Sequence, residues 1–173
     1  KEALNSDLYI VFGSSYIKGW LIKFLIKKKA INIHMGLSPF YRGSSCNFWA
    51  MFDKNSNYVG ATIHYLSEGL DSGKIISHCL PNYKEKNFFR YTMSSVKSAH
   101  DCLRHLIYSK RLFKLKPKKQ DKTYQIRYSR KNEFNDKILK KFFKANKAKI
   151  KKEKKEENNH LKDQLVNPFY YKK

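Results

Sequence analysis

The stretch Leu8-Tyr9-Ile10-Val11-Phe12-Gly13 decides the fold. Five apolar residues, aliphatic or aromatic, run in a row and stop at a glycine. The pattern predicts a strand buried on both faces, as in a parallel sheet. Ser14 and Ser15 follow as a loop, and Trp20 to Lys28 reads as a short helix with Trp20, Leu21, Phe24 and Leu25 on its apolar face. Ala30 to His34 is a second short strand. Strand, helix and strand in succession indicate an α/β fold with a mainly parallel sheet.

Further along, Gly36-Leu-Ser-Pro39 and Arg42-Gly43 make an irregular loop, and Ser44 is placed to cap a helix running through Phe52. Tyr58 to Leu66 and Lys74 to Leu80 read as strands around a loop, Ser67 to Gly73. After Pro81, Ser94 or Ser95 caps a helix with Val96, Ala99, Leu103, Leu106 and Ile107 on one face, at helical spacing. Leu115 to Thr123 is a Lys-rich linker broken by proline, and Tyr124 to Tyr128 a short strand. Phe134 to about Lys155 is a basic helix with Phe134, Ile138, Phe142 and Ala145 on its apolar side. The end, Glu156 to Lys173, reads as frayed or disordered apart from the aromatic tag Phe169, Tyr170 and Tyr171.

The 173 residues suit one domain plus an extension. The formal charge of +23 is uneven: residues 1–100 carry about +7 and residues 101–173 about +16. Such a balance attracts polyanions, or simply reflects a Lys-rich composition on a solvated face. The three cysteines, Cys46, Cys79 and Cys102, form no C-x-x-C pair. That argues against a disulfide framework and a zinc site, and the expected setting is reducing and cytoplasmic. Lys18 and Lys23, with Gly13 and Gly19, interrupt the most apolar stretch, so no membrane span is expected. The chain begins at Lys1, and a doubly wound domain needs more strands than precede Asn32. The opening strands and the first phosphate-binding turn are therefore expected to be missing.

Three side chains stand out. Asn32 and His34 share one face of a strand by its period of two, near its C-terminal end, where open α/β sheets bind ligands. Asp71 lies in a Gly-rich loop after another strand. An amide, an imidazole and a carboxylate meeting there would suit acyl transfer. Singly, each has a plainer reading: a structural histidine, a turn-forming aspartate, an asparagine bonding local backbone.

Taken together, Asn32-Ile-His34-Met-Gly-Leu-Ser38-Pro39-Phe-Tyr41-Arg42-Gly43 resembles the signature of the formyltransferase catalytic domain. That family includes glycinamide ribonucleotide, methionyl-tRNA and nucleotide-sugar N-formyltransferases. Gly60-Ala-Thr62-Ile-His64-Tyr-Leu-Ser-Glu68-Gly69-Leu70-Asp71-Ser-Gly73-Lys-Ile-Ile76 is similar to the family's aspartate loop, and Gly13-Ser-Ser-Tyr16-Ile17 to the segment flanking its folate pocket. The resemblance spans about Asp7 to Leu80. It implies a Rossmann-like formyltransferase fold, with an N-terminally incomplete core over residues 1–115 and a Lys-rich, partly helical extension over 116–173.

By the same resemblance the donor is N10-formyltetrahydrofolate, no metal is needed, and Asn32, His34 and Asp71 are the catalytic trio. Ser15, Tyr16 and Ile17 would form one wall of the folate site and Leu66, Ser67, Glu68, Gly69 and Leu70 the other. Ser38, Arg42 and Gly43 would meet the acceptor, with Arg42 suited to a phosphate. The segment Ser44-Ser45-Cys46-Asn47-Phe48-Trp49 departs from the Ala-Pro-rich pattern of methionyl-tRNA formyltransferases. A small amine, phosphorylated or nucleotide-linked, is therefore the expected partner, a nucleotide-linked amino sugar first; tRNA and glycinamide ribonucleotide remain open. A formyltetrahydrofolate hydrolase and a basic nucleic-acid-binding protein on a degenerate enzyme scaffold are the rival readings.

Overall fold

A computed structural model of the chain describes residues 5–146 and 159–171. Its main sheet runs in the order β1 (Ile10–Phe12), β2 (Ile31–His34), β4 (Ala61–Tyr65), β5 (Ile75–Leu80) and β7 (Phe169–Tyr170). A second, two-stranded sheet pairs β3 (Tyr41–Gly43) with β6 (Arg127–Ser129). Among the described residues the α-helices are α1 (Gly19–Lys27), α2 (Cys46–Phe52), α3 (Phe88–Tyr108), α4 (Asp136–Asn146) and α5 (Asn159–Gln164).

The main sheet is mixed, not mainly parallel. β1 with β2 and β5 with β7 are parallel, whereas β2 with β4 and β4 with β5 are antiparallel. Helix α1 provides the crossover that the parallel neighbours β1 and β2 need, and the loop between β4 and β5 closes a hairpin. The antiparallel β2–β4 pair is joined by a longer connection that carries β3 and α2.

β1 is an edge strand and is not buried on both faces: Ile10 is 47 % exposed and Phe12 42 %. Its apolar run reports what the residues are, not which neighbours cover them. Trp20, expected on the inner face of α1, is 66 % exposed, and Leu25 is the buried residue of that helix. Helix α2 starts at Cys46 after Ser45, which has φ 56° and makes no capping bond, so Ser44 is not its cap. Helix α3 starts six residues before Ser94, with the Asn87 side chain accepting from the Arg90 N–H.

Two cores follow from these elements. Ile31, Ile33, Ala61, Ile63 and Ile76 project from the sheet onto Ala99, Cys102, Leu103 and Leu106 of α3. A second cluster joins Leu37, Phe40, Tyr41 and α2 to Tyr91, Phe142 of α4 and Leu161 of α5. Phe142 is 5 % exposed, and Ile138 and Leu139 pack beside it, while Ala145 faces solvent. The stretch 147–155 of the expected basic helix lies outside the described residues.

Residues 159–171 are not frayed; they form α5 and β7. The Val166 N–H donates to His78 Nδ1 at 3.0 Å, and the Asn167 side chain donates to the Ile76 carbonyl at 2.9 Å. Both ends of the sequence thus share one sheet, and residues on both sides of position 115 line the same cores. Among the described residues no helix is long and apolar enough to cross a membrane.

Candidate active site

Antiparallel register sets Asn32 of β2 opposite His64 of β4, and His34 opposite Thr62. The isoleucines between them turn into the core, so these polar side chains share the other face. The loop after β4 then carries Asp71 back over them.

The distances are those of one connected cluster. His34 Nδ1 lies 3.3 Å from Asp71 Oδ2, and Asn32 Nδ2 lies 3.4 Å from Asp71 Oδ1 and 3.1 Å from His64 Nε2. Burial pushes His64 down to about 4, so its ring is neutral near pH 7. Its Nδ1–H donates to the Tyr65 carbonyl at 2.8 Å, which leaves Nε2 as an acceptor. The His64–Asp71 separation of 3.8 Å is therefore not an ion pair; the Asn32 amide N–H groups serve both acceptors. Two acceptors on one side fix the Asn32 carboxamide with nitrogen toward them.

The other nitrogen of His34, Nε2, lies 3.3 Å from the Tyr41 carbonyl and 3.5 Å from Cys46 Sγ. Both ring nitrogens thus face hydrogen-bonding partners. Burial first, and the Asp71 charge second, push the Cys46 thiol up, so Cys46 is a neutral neighbour rather than a nucleophile. Gly36 is needed for close approach: a Cβ there would come within 2.6 Å of His34 Nε2. Gly73 is needed too, because a Cβ would run into the Tyr65 carbonyl oxygen.

Asn32, His34, His64 and Asp71 line a cleft of about 1060 Å³. Ser15, Tyr16 and Ile17 line it, as do Leu66, Ser67, Gly69 and Leu70. The Glu68 side chain is not in this lining; its carbonyl accepts from the Tyr16 hydroxyl at 2.9 Å and ties the two segments together. Phe89, Tyr128, Arg130, Lys131, Phe134 and Phe143 line the same cleft. The structure thus brings the trio together and leaves open space in front of it.

Two of the residues expected to meet an acceptor lie elsewhere. Ser38 has no exposed surface: its N–H donates to Thr62 Oγ1 and its carbonyl accepts from His78 Nε2, so it shapes a corner of the core. Arg42 is 8 % exposed and faces inward, donating to the Leu70 carbonyl at 2.6 Å and to Gln125 Oε1 at 3.2 Å. It braces the aspartate loop. Gly43 does line the cleft, at φ 91° and against Ser129. Phe48 lines the cleft as well as the core, and Trp49 is buried beneath the Arg127 guanidinium, 3.7 Å from its ring centre.

Sequence reasoning gave no role to His64 or Cys46. For His64 a signal existed, since Thr62 and His64 repeat the spacing of Asn32 and His34 on the adjacent strand. No such signal pointed to Cys46. Among the described residues there is no group of three or more His, Cys, Asp or Glu side chains able to hold a metal ion.

An amide donor, an imidazole and a carboxylate gathered in an α/β cleft can together polarise a carbonyl and move a proton beside it. The profile of the family described as Formyl transferase matches residues 2–98. The chain belongs to that family. Formyltetrahydrofolate deformylase 1, mitochondrial, of Arabidopsis thaliana is 31 % identical over 100 residues, 57 % of this chain and 29 % of the deformylase. Methionyl-tRNA formyltransferase of Clostridioides difficile (strain 630) is 33 % identical over 75 residues, 43 % of this chain and 24 % of that enzyme. The chain therefore spans under a third of the length of these curated relatives. Among solved structures, the formyltransferase PseJ from Anoxybacillus kamchatkensis, in complex with UDP-4,6-dideoxy-4-formamido-L-AltNAc and tetrahydrofolate, superposes with a TM-score of 0.68. It is 23 % identical, and the match covers 86 % of this chain and 76 % of that one, a likeness of fold.

Proposed function

We propose that this protein transfers a formyl group from N10-formyltetrahydrofolate to a primary amine on a small anionic acceptor, a nucleotide-linked amino sugar first among them. The observation that carries the proposal is the meeting of Asn32 and His34 at Asp71, 3.4 and 3.3 Å from its two carboxylate oxygens, in the lining of an open cleft.

The cleft residues fit a folate. The volume is of the order that encloses an extended organic ligand, roughly 300–1000 Å³ for typical pockets. Val11, Ile17, Ile22 and Leu70 offer apolar walls for the flat ring of a pterin, and Ser67 and Gly69 border the same space. The donor supplies an activated formyl group. This chain's residues would do the rest. As the amine attacks the formyl carbon, the carbon–nitrogen bond forms and negative charge gathers on the formyl oxygen. The Asn32 amide N–H turns from its long 3.4 Å contact with Asp71 to that oxygen. His34 delivers a proton toward the leaving nitrogen as its bond to the formyl carbon breaks, and Asp71 accepts the proton released by the attacking amine.

The basic and aromatic residues of the cleft lining support an anionic, ring-bearing acceptor. Arg130 and Lys131 bring positive charge to the lining of the same cleft as Tyr128, Phe134 and Phe143. A second reading, hydrolysis with water in place of the amine, is favoured by the deformylase relative. One assay separates them: incubate the protein with N10-formyltetrahydrofolate, with and without UDP- and dTDP-amino sugars, glycinamide ribonucleotide and methionyl-tRNA, and follow formylated product and free formate. Amine-dependent product is expected. Formate released at the same rate without any amine would sink the transfer reading in favour of hydrolysis, and no turnover at all would sink both.

A further inference from the structure

Asp71 stands in the left-handed region, at φ 46°. Aspartate tolerates that region better than most residues, yet it still costs energy and must be held from outside. The hold comes from the Lys-rich linker. Gln120 Nε2 donates to the Asp71 carbonyl and to the Gly73 carbonyl, each at 2.8 Å. Turned the other way, the Gln120 amide would set oxygen against two carbonyls, which fixes its orientation. Its Oε1 is buried and finds no partner among the described residues. Gln120 therefore bears an unsatisfied acceptor to keep these two bonds.

The segment around Gln120 is itself pinned. Lys118 and Ile75 exchange two backbone bonds, at 2.8 and 2.9 Å, where β5 begins. Asp121 accepts from the Thr123 N–H and hydroxyl at 2.9 and 2.7 Å. The carboxamide at 120 is thus delivered to the aspartate loop by a strap fixed on both sides. Residue 120 also lies beyond the residues that the family profile matches.

We infer that Gln120 is a positioning residue: it sets the turn at Asp71 and so aims the carboxylate at His34 and Asn32. The kinetic consequence rests on the proposed formyl-transfer reading; the geometric claim does not. Gln120→Met keeps the length and bulk of the side chain and removes the donor. Gln120→Glu keeps the shape and sets a carboxylate oxygen against the two carbonyls.

Crystal structures and steady-state kinetics of the full chain and these variants test the assignment. In both variants Asp71 is expected to leave the left-handed region, and the His34 Nδ1–Asp71 Oδ2 separation to exceed hydrogen-bonding range. The kcat should fall about 10–100-fold. The KM for the folate donor should change less than about threefold, because uniform binding is untouched. If either variant fails to fold, Gln120→Asn, which shortens the reach by one methylene, takes its place with the same readouts. An unchanged Asp71 turn in a folded variant overturns the inference. A displaced turn with kcat at the wild-type level leaves the geometric claim standing and instead removes Asp71 from the proposed chemistry. If the wild-type chain turns over no acceptor, that failure belongs to the transfer reading, and the crystallographic comparison alone decides the role of Gln120.

Discussion

At the scale of single residues, the cluster in the cleft lining is a chain of assigned protons. His64 can only accept from Asn32, because its proton is committed to the Tyr65 carbonyl. Asn32 must therefore present nitrogen, not oxygen, to the space beside Asp71. Asn32→Ala should lower kcat for formyl transfer by about 10²–10³, the usual cost of losing one preorganised oxyanion donor, with far smaller change in donor affinity. Full activity in that variant would show that the oxyanion is held elsewhere. His64→Ala leaves the Asn32 amide free to rotate and should cost less, about tenfold in kcat, with the donor KM little changed.

At the scale of elements, the hairpin between β4 and β5 depends on one missing Cβ. Gly73 passes so close to the Tyr65 carbonyl that alanine cannot be accommodated without moving backbone. Gly73→Ala should destabilise the fold by about 1–3 kcal/mol, the range of overpacked sites, and should reduce activity as well, because the same backbone carries Asp71. Urea unfolding together with a formyl-transfer assay checks both. Phe142→Ala should cost about 3–5 kcal/mol, since Phe142 fills the junction of α4 with Phe48, Phe52 and Phe88.

How far these elements could be read in advance depended on what held each one. The spacing of Asn32 and His34 was legible because a strand's period of two is local. The edge position of β1 was not, because five apolar residues look alike at an edge and in a centre. The first turns of α3 were hidden by the aromatic run Phe88, Phe89 and Tyr91, although Asn87 carries a capping signal. The short strand expected over Tyr124 to Tyr128 is present at Arg127–Ser129, shifted toward its partner Tyr41–Gly43. Strand β7 is two residues long and exists only through a partner 90 positions away, Cys79 with Phe169. The two carbonyl bonds made by Gln120 carry no sequence signature at all.

At the scale of the whole molecule, charge and burial set the response to solvent. Burial pushes both His64 and His78 from the usual 6.5 down to about 4. The native chain therefore keeps these rings neutral while the unfolded chain takes up protons below about pH 6.5. Stability should be constant above that pH and fall as pH drops toward 4, by roughly 3 kcal/mol for each ring at most. Thermal unfolding at pH 7, 5.5 and 4.5 reads this directly; a flat profile would contradict the buried, neutral assignment. The net charge of +23 opposes compaction. Raising salt from 0.01 to 0.15 M should raise Tm by about 2–4 °C, the equivalent of 1 kcal/mol for a chain this size.

The attachment of β7 to β5 also governs when β5 gains its full set of neighbours. The backbone N–H and Nδ1 of His78 are matched by the carbonyl and N–H of Val166, and Leu80 by Tyr170. During synthesis, β5 leaves the ribosome long before its last partner is made. Until residue 170 emerges, the Cys79–Leu80 end of that side of the sheet is an unpaired strand edge, available to chaperones or to other nascent chains, while its Ile75 end is already held by Lys118.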